Sequence, residues 1–450
     1  MAILGLMSAE SFASNRLKSI RRSVFYFYPN GAAPLIGILS MLKDESVNDP
    51  HFKVFEKRLS PQRTLSAAIS STIVLYKTVS SDFGTYTAAD ANLNLVADTN
   101  YGIKVVDTTI FRVGHVIKFF VYVGSALEEI LARVVHVDSA NTRIAFTVVR
   151  GQSTVVYNNA TAVGTEILVV GSAYGEGTTD ESTGIYNLPV DQYNFTQIFK
   201  TPFTISGTAL KTAADFDETG TYRDMSKENS IYHMIEMEKS MIFGERRKVD
   251  SGPQSQPIRY TGGILWYLRQ FEAAASIYRG ATSTAVTSNS DDDKRIINVN
   301  GSITLKVMNG YYERVFRVTN NKTNEKLAIC GSGFLNVVQE LYRGAVTLNS
   351  NLPFSDTYGM DVIKHVTTFG TIYYKSHPLF SQNPILRYNC LIIDVQNLKY
   401  KYMDGRDTEL LKNRQANDAD YRKDEWLTEA GLEAVFPDSN MYLQNVLDNA

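Results

Sequence analysis

Hydrophobic and polar positions divide this chain into stretches of different period. In TIFRVGHVIKFFVYV, EEILARVVHVD, RIAFTVVRG and TEILVVGSAY apolar residues tend to alternate with polar ones, and DSANT and NNATAVGT punctuate them. Alternation at period two marks half-buried strands, and several short strands at even spacing predict a small antiparallel barrel or sandwich over 101–180. Ser182–Thr212 is extended, polar on one side and aromatic on the other, with no helical period. An excursion of that length leaves half its surface without a partner in a monomer.

A helical period then takes over. Ile231, Met234, Ile235, Met237, Met241 and Ile242 recur every 3.6 residues and predict a helix over Ser226–Phe243. Gly244 ends it, and Arg246, Arg247 and Lys248 follow where cations complement a helix C-terminus. Glu228, Glu236 and Glu238 alternate with Lys227 and Lys239 and read as a solvated, ion-paired face. Residues 255–385 read as a compact α/β unit, with helices at 262–277 and 302–318 and a strand at Leu327–Cys330. Gly331-Ser332-Gly333 leads from that strand into a helix whose stripe is Phe334, Val337, Val338 and Leu341, with Ser332 as its N-cap. Strands follow at VTLNS, MDVIKHVTTF and GTIYYKSH, and β pattern returns in YNCLIIDVQNLKYKYM and LEAVFP.

The opening is different. Ser8 caps a short helix running to about Ile20, with Arg16, Lys18, Arg21 and Arg22 on or beyond its polar side. Val24–Leu42 is an aromatic, strand-like run, a Pro-Asn-Gly turn and a second apolar segment. Two readings stand: an arm that packs on something else, or a domain's first strand and helix.

Composition narrows the class. The chain has 450 residues, 44% hydrophobic and 20% charged, enough to build two to four cores and too apolar for disorder. Its 26 Tyr and 22 Phe against 2 Trp suit half-buried surfaces as well as strands. A net charge of −2 gives no global field toward nucleic acid or an anionic membrane. The start lacks a signal-peptide pattern, and no run approaches the ~18 apolar residues of a membrane span. Cys330 and Cys390 lie in apolar stretches and are expected to be buried, reduced thiols.

A search for chemistry returns little. GSGFLN lacks both the third glycine of a dinucleotide fingerprint and the Gly-Lys-Ser/Thr of a P-loop. The six histidines show no metal-ligand spacing, and His115, His136 and His365 read as surface residues of strands. There is no Gly-x-Ser-x-Gly elbow, and SNSDDDKR lacks the spacing of a calcium loop. No catalytic, cofactor-binding or metal-binding residue is therefore assigned, and the chain is not expected to be an enzyme.

The order of parts carries more information than any motif. An apolar N-terminal segment, a long extended loop with a β insertion, one long helix, an α/β unit and a returning β segment follow one another. This order resembles the Hong Kong phage-type capsid fold. FRVGHVIKF with VVRGQS, QIFKTPFTISGTAL, MEKSMIFGERR, RYTGGILWYL, LAICGSGFLNVV, YGMDVIKHVTTFGTIYYKSHPLF and WLTEAGLEAVFP are similar to a tailed-phage major capsid family once catalogued as a domain of unknown function. The similarity covers most of residues 100–440.

The resemblance implies an α+β chain with an N-terminal arm (1–62), E-loop-like segments (63–100 and 181–222) and an inserted antiparallel β-barrel or sandwich (101–180). A spine helix and peripheral domain (223–254), an axial domain (255–385) and a returning peripheral segment (386–450) complete it. It implies a capsid subunit of the virion, assembled in the host cytoplasm into hexamers and pentamers, with the spine helix and 182–212 absorbing curvature. Tyr26, Tyr28, Tyr193, Phe195, Phe199 and Phe203 become candidate subunit contacts, and Arg16, Lys18, Arg21 and Arg22 a candidate genome-facing cluster. Without a coiled-coil pattern before the arm, and with the chain starting at Met1, a separate scaffolding protein and no large propeptide are expected. A portal protein, a decoration protein and non-specifically held double-stranded DNA complete the expected partners. Alternatives are another virion component, such as a decoration or tail protein, or a hydrolase with a β accessory domain.

Overall fold

The computed structural model describes residues 35, 44–57, 63–65, 76–77, 87–88, 97–98, 100–123, 126–140, 142–150, 166–177, 188–212, 220–250, 256–273, 294–317, 324–343 and 363–447. They fall into two compact units, one of 53–192 with 268–296, the other of 1–52, 193–267 and 297–450.

The first unit is built on one antiparallel eight-stranded sheet. Its order is Arg63–Leu65, Glu166–Ser172, His115–Val123, Ala126–Asp138, Arg143–Arg150, Asn100–Lys104, Tyr76–Lys77 and Thr87–Ala88. Alternation explains its core: Ile117 and Phe119, then Ile130, Ala132 and Val134, point inward while Lys118 and Arg133 stay at the surface. Register places Phe119 opposite both Ile130 and Ile167, and its ring meets Phe146 edge-on at 5.4 Å. Three short strands from 63–100 extend this sheet, so that stretch is part of the β unit where a separate E-loop segment was expected.

In the second unit six helices are used below: α1 (Gly207–Lys211), α2 (Thr221–Phe243), α3 (Ile264–Ala273, which runs on past the unit's edge), α4 (Leu305–Arg317), α5 (Ser332–Arg343) and α6 (Pro378–Gln382). One sheet runs in the order Asp44–Val47, Leu398–Met403, Tyr421–Ala434, Gln197–Ser206, with Glu409–Leu411 also on Tyr421–Ala434. Asp44–Val47 runs parallel to its neighbour and the other pairs are antiparallel. The second sheet has the order Ile296–Ser302, Met441–Leu447, Cys390–Ile393, Glu325–Cys330, Thr371–Ser376, Ile363–Val366. Met308, Tyr312 and Val315 of α4 and Phe334 and Val337 of α5 pack into its core.

Several expectations change. Gln197–Ser206 is no free excursion, because all ten residues pair with Tyr421–Ala430. The segment 386–450 does not return as one piece. Cys390–Ile393 is buried at every position and enters the α/β sheet with Met441–Leu447, while only the 398–434 part of this segment joins the other sheet. A strand apolar on both faces belongs between covering layers, and only the α/β unit offers them. The helix predicted from Ser226 starts at Thr221.

The glycines around Ser332 have a packing cause. Gly331, not Ser332, holds the cap position of α5: its carbonyl accepts the Leu335 N–H at 3.2 Å, and Ser332 is the first helical residue. A Cβ at Gly331 would lie 2.2 Å from the Arg387 carbonyl oxygen, and one at Gly333 2.7 Å from the Tyr388 ring. The Arg387 backbone and the Tyr388 ring therefore lie directly on the start of the helix. Gly331→Ala should destabilise the chain by about 1–3 kcal/mol through overpacking. Gly310→Ala, mid-α4 with nothing within 4 Å, should stabilise it by about 0.5–1 kcal/mol. Denaturant unfolding of the two variants checks both signs.

Candidate functional site

The parts of this protein available for function are the seams that hold each element and the surfaces left over. The seam between α2 and the five-stranded sheet is polar at its centre. His233, fully buried on α2, places Nδ1 2.9 Å from Thr201 Oγ1 and Nε2 2.8 Å from Thr428 Oγ1, and Thr408 joins Thr428 at 2.8 Å. Towards the N-terminal end of α2, Tyr222 and Arg422 bind Asp424, and the Trp426 indole donates to the Ser226 carbonyl at 3.2 Å.

Phe199 and Phe203 belong to this seam. Both are only 5% exposed, with Phe199 edge-on to His233 at 6.4 Å and Phe203 5.9 Å from Tyr222. Within the protomer they are core, which corrects their assignment as subunit contacts. Strand alternation turns Ile198, Lys200, Pro202 and Thr204 outward instead. Tyr193 and Phe195 are half-buried. The Arg246 guanidinium sits 3.6 Å from the Tyr193 ring centroid and 4.2 Å from that of Trp266, and it donates to the Tyr193 carbonyl at 2.8 Å. His51 packs against both Tyr193 and Phe195. Tyr26, Tyr28, Arg16, Lys18, Arg21 and Arg22 lie outside the described residues.

The opposite face of Tyr421–Ala434 carries a row of carboxylates at every fourth residue. Glu425 meets Arg414 at 3.8 Å, Glu429 meets Arg406 at 2.7 Å, and Glu433 meets Lys401 at 2.9 Å and Lys399 at 3.7 Å. Both lysines also reach Glu45 of the first described strand, Lys401 at 2.5 Å. The Lys401 hydrogen bond holds the Glu45 carboxyl below the usual carboxylate range. Asp44–Val47 is thus tied to its neighbour by charge as well as backbone pairing.

The α/β unit hides its polar groups. Lys326 Nζ lies 3.4 Å from Asp394 Oδ2 and 2.8 Å from the Ser439 carbonyl, with both charged side chains out of solvent. The Tyr312 and Tyr374 hydroxyls meet at 2.5 Å, and the His365 ring packs at a tilt against Tyr342, centroids 4.4 Å apart. His365 and His115 were expected at the surface and are buried; His136 is exposed. Their strands are covered on the face that carries the ring, which alternation with Val and Ile does not reveal. Cys330 and Cys390 are buried free thiols in register on neighbouring strands, and burial pushes Cys390 up. Among the described residues no group of three or more His, Cys, Asp or Glu is arranged to hold a metal ion, and no helix is long and apolar enough to cross a membrane.

What remains outside is apolar surface. Phe55, Leu188 and Val170 in the first unit, and Val366 and Ile385 in the second, each stand more than half exposed. An α+β chain whose buried charges are answered from within, and whose large apolar side chains face outward on both units, has the character of a building block. The comparisons agree: this is a structural subunit of a viral capsid. The family model of the SU10 major capsid protein matches residues 10–446, and the chain belongs to that family. The major capsid protein of Pseudomonas phage PaMx41 is 26% identical over 253 residues, which are 55% of this chain and 54% of that protein, so the match spans about half of each. Among solved structures, the capsid of a native GTA particle aligns over 99% of this chain and 100% of its own at 7% identity and a TM-score of 0.43. Mycobacterium phage Bobi aligns over 98% and 95% at 9% identity and a TM-score of 0.40. Membership of the family carries with it a place in the virion capsid and a structural role.

Two measurements test these seams. Burial pushes His233 and His365 below the ordinary histidine value of 6.5, so the fold keeps them neutral while the unfolded chain takes up the proton. Their contribution is complete above that value and is lost as pH falls below it. Unfolding free energy should drop between about pH 7.5 and about pH 5, and His233→Gln, which retains two hydrogen-bonding atoms, should flatten the slope. Lys401→Ala leaves Glu433 buried beside Lys399 alone and should cost roughly 3 kcal/mol, read from the denaturation midpoint.

Proposed function

We propose that this chain self-assembles through hexamers and pentamers into the icosahedral or prolate head shell that encloses the double-stranded DNA of a tailed phage. The observation that carries the reading is the exposed apolar side chains on both units of a chain whose family builds capsids. Left in water they are a liability; covered by neighbouring copies they become contacts. Each ordinary interface buries roughly 1,200–2,000 Å2, and one subunit meets several neighbours, so modest contacts sum to a stable shell.

A separate scaffolding protein, a portal protein and a decoration protein are the partners this reading calls for. The arm of residues 1–62 and the half-buried Tyr193 and Phe195 are its candidate contact elements, together with Tyr26 and Tyr28. The Arg16, Lys18, Arg21 and Arg22 cluster is its candidate contact to packaged DNA, where phosphate binding is non-specific and salt-sensitive.

Electron microscopy of the chain expressed with and without a scaffold candidate tests the assembly. Closed shells, tubes or sheets of hexamers are expected; a monodisperse monomer under both conditions at high concentration would sink the reading. Changing the four arm cations to Gln should lower the DNA content of filled heads. Heads that fill normally after that change would remove the DNA assignment and leave the shell intact.

A further inference from the structure

Glu238 is the acidic residue whose position the amphipathic pattern misplaces most. The pattern puts it on the solvated face of α2, yet it is fully buried, next to Met237 and one turn from Met241. Burying a carboxylate costs far more than burying a methionine unless specific donors answer it. The donors come from two distant parts of the chain. The backbone N–H of Leu35, itself fully buried, donates to Glu238 Oε1 at 2.9 Å. His377 Nε2 lies 2.9 Å from the same oxygen. His377 Nδ1 accepts the Leu379 N–H at 3.1 Å, which leaves the ring proton on Nε2, pointed at the carboxylate.

His377 is the cap of α6, and its own N–H donates to the Cys330 carbonyl at 2.8 Å. Its ring packs on Phe380, which also meets Phe243 at the end of α2. One oxygen thus joins the N-terminal segment, the long helix and the first turn of α6 beside the α/β sheet. A shared acceptor couples its donors: a shift of either group moves the atom the other depends on.

We propose that Glu238 is the positioning residue of the N-terminal segment, a latch that docks the chain at Leu35 in a single register and couples that docking to the seat of α6. The inference goes beyond the shell reading and does not rest on it, because it concerns the free subunit. A buried polar group that selects one register, at some expense of stability, is a recurrent device.

Hydrogen exchange followed by mass spectrometry on the purified full-length chain tests it. In Glu238→Leu the Leu35 amide should exchange about 10- to 100-fold faster, the scale expected from losing a hydrogen bond to a charged group. Peptides covering 378–382 should loosen with it, and the sheet at 115–150 should not change. Glu238→Gln, which keeps the accepting oxygen, should restore most of the protection. His377→Phe, which removes the other donor to Glu238 Oε1 and leaves the carboxylate in place, should also speed Leu35 exchange, and it carries the test if Glu238→Leu does not fold. Unchanged Leu35 exchange in either variant, or a uniform rise across the whole chain, would overturn the latch.

Discussion

Ten consecutive register pairs between Gln197–Ser206 and Tyr421–Ala430 join parts of the chain more than two hundred residues apart, and the second unit is organised around that ladder. The strand Tyr421–Ala434 has different chemistry on its two faces. Asp424, Trp426 and Thr428 meet α2, while Glu425, Glu429 and Glu433 meet the cations of the neighbouring strands and turns. A slip of one residue would exchange these faces, leaving three carboxylates against a helix and a tryptophan among arginines and lysines. The register is therefore held by charge and hydrogen bonding as firmly as by apolar burial.

That constraint extends to the rest of the unit. Glu433 shares its lysines with Glu45, which attaches Asp44–Val47 to the sheet's edge. His233 fixes the rotation of α2 over the same sheet, and Glu238, just over one turn on, reaches the α/β side and Leu35. Buried polar groups of this kind give up some stability relative to an apolar core and specify a single arrangement in return. A subunit that must repeat its shape through a shell needs that specificity. The β unit shows the contrast. Its core is almost wholly apolar, with Phe119, Phe146 and Ile130 at the centre, and ordinary alternation suffices to define it.

Much of the architecture was legible from residue order. Period two marked the strands of the β unit, period 3.6 marked α2, α4 and α5, and the succession of parts pointed to a capsid subunit, which the family match shows it to be. The candidate contacts were less legible. Phe199 and Phe203 looked like one side of a free excursion and face α2 instead, because the sequence does not announce a pairing partner that arrives two hundred residues later. His115, His365 and Glu238 were placed at the surface from their neighbours' pattern and are buried. The same blindness applies, since period reports which residues share a face and says nothing of what covers it.

The sequence by itself determined element type, the order of parts and the class of protein, all of which rest on local periodicity and on residue wording along the chain. Only the tertiary structure decided which strands share a sheet, that Cys390–Ile393 and Leu398–Met403 part company, and which polar side chains are sealed inside. It also gave the glycines at 331 and 333 their cause, the Arg387 backbone and the Tyr388 ring lying against the helix start. These are contacts between residues far apart in the chain, and the free energy that selects them comes from desolvation and pairing, which exist only once the partners have met.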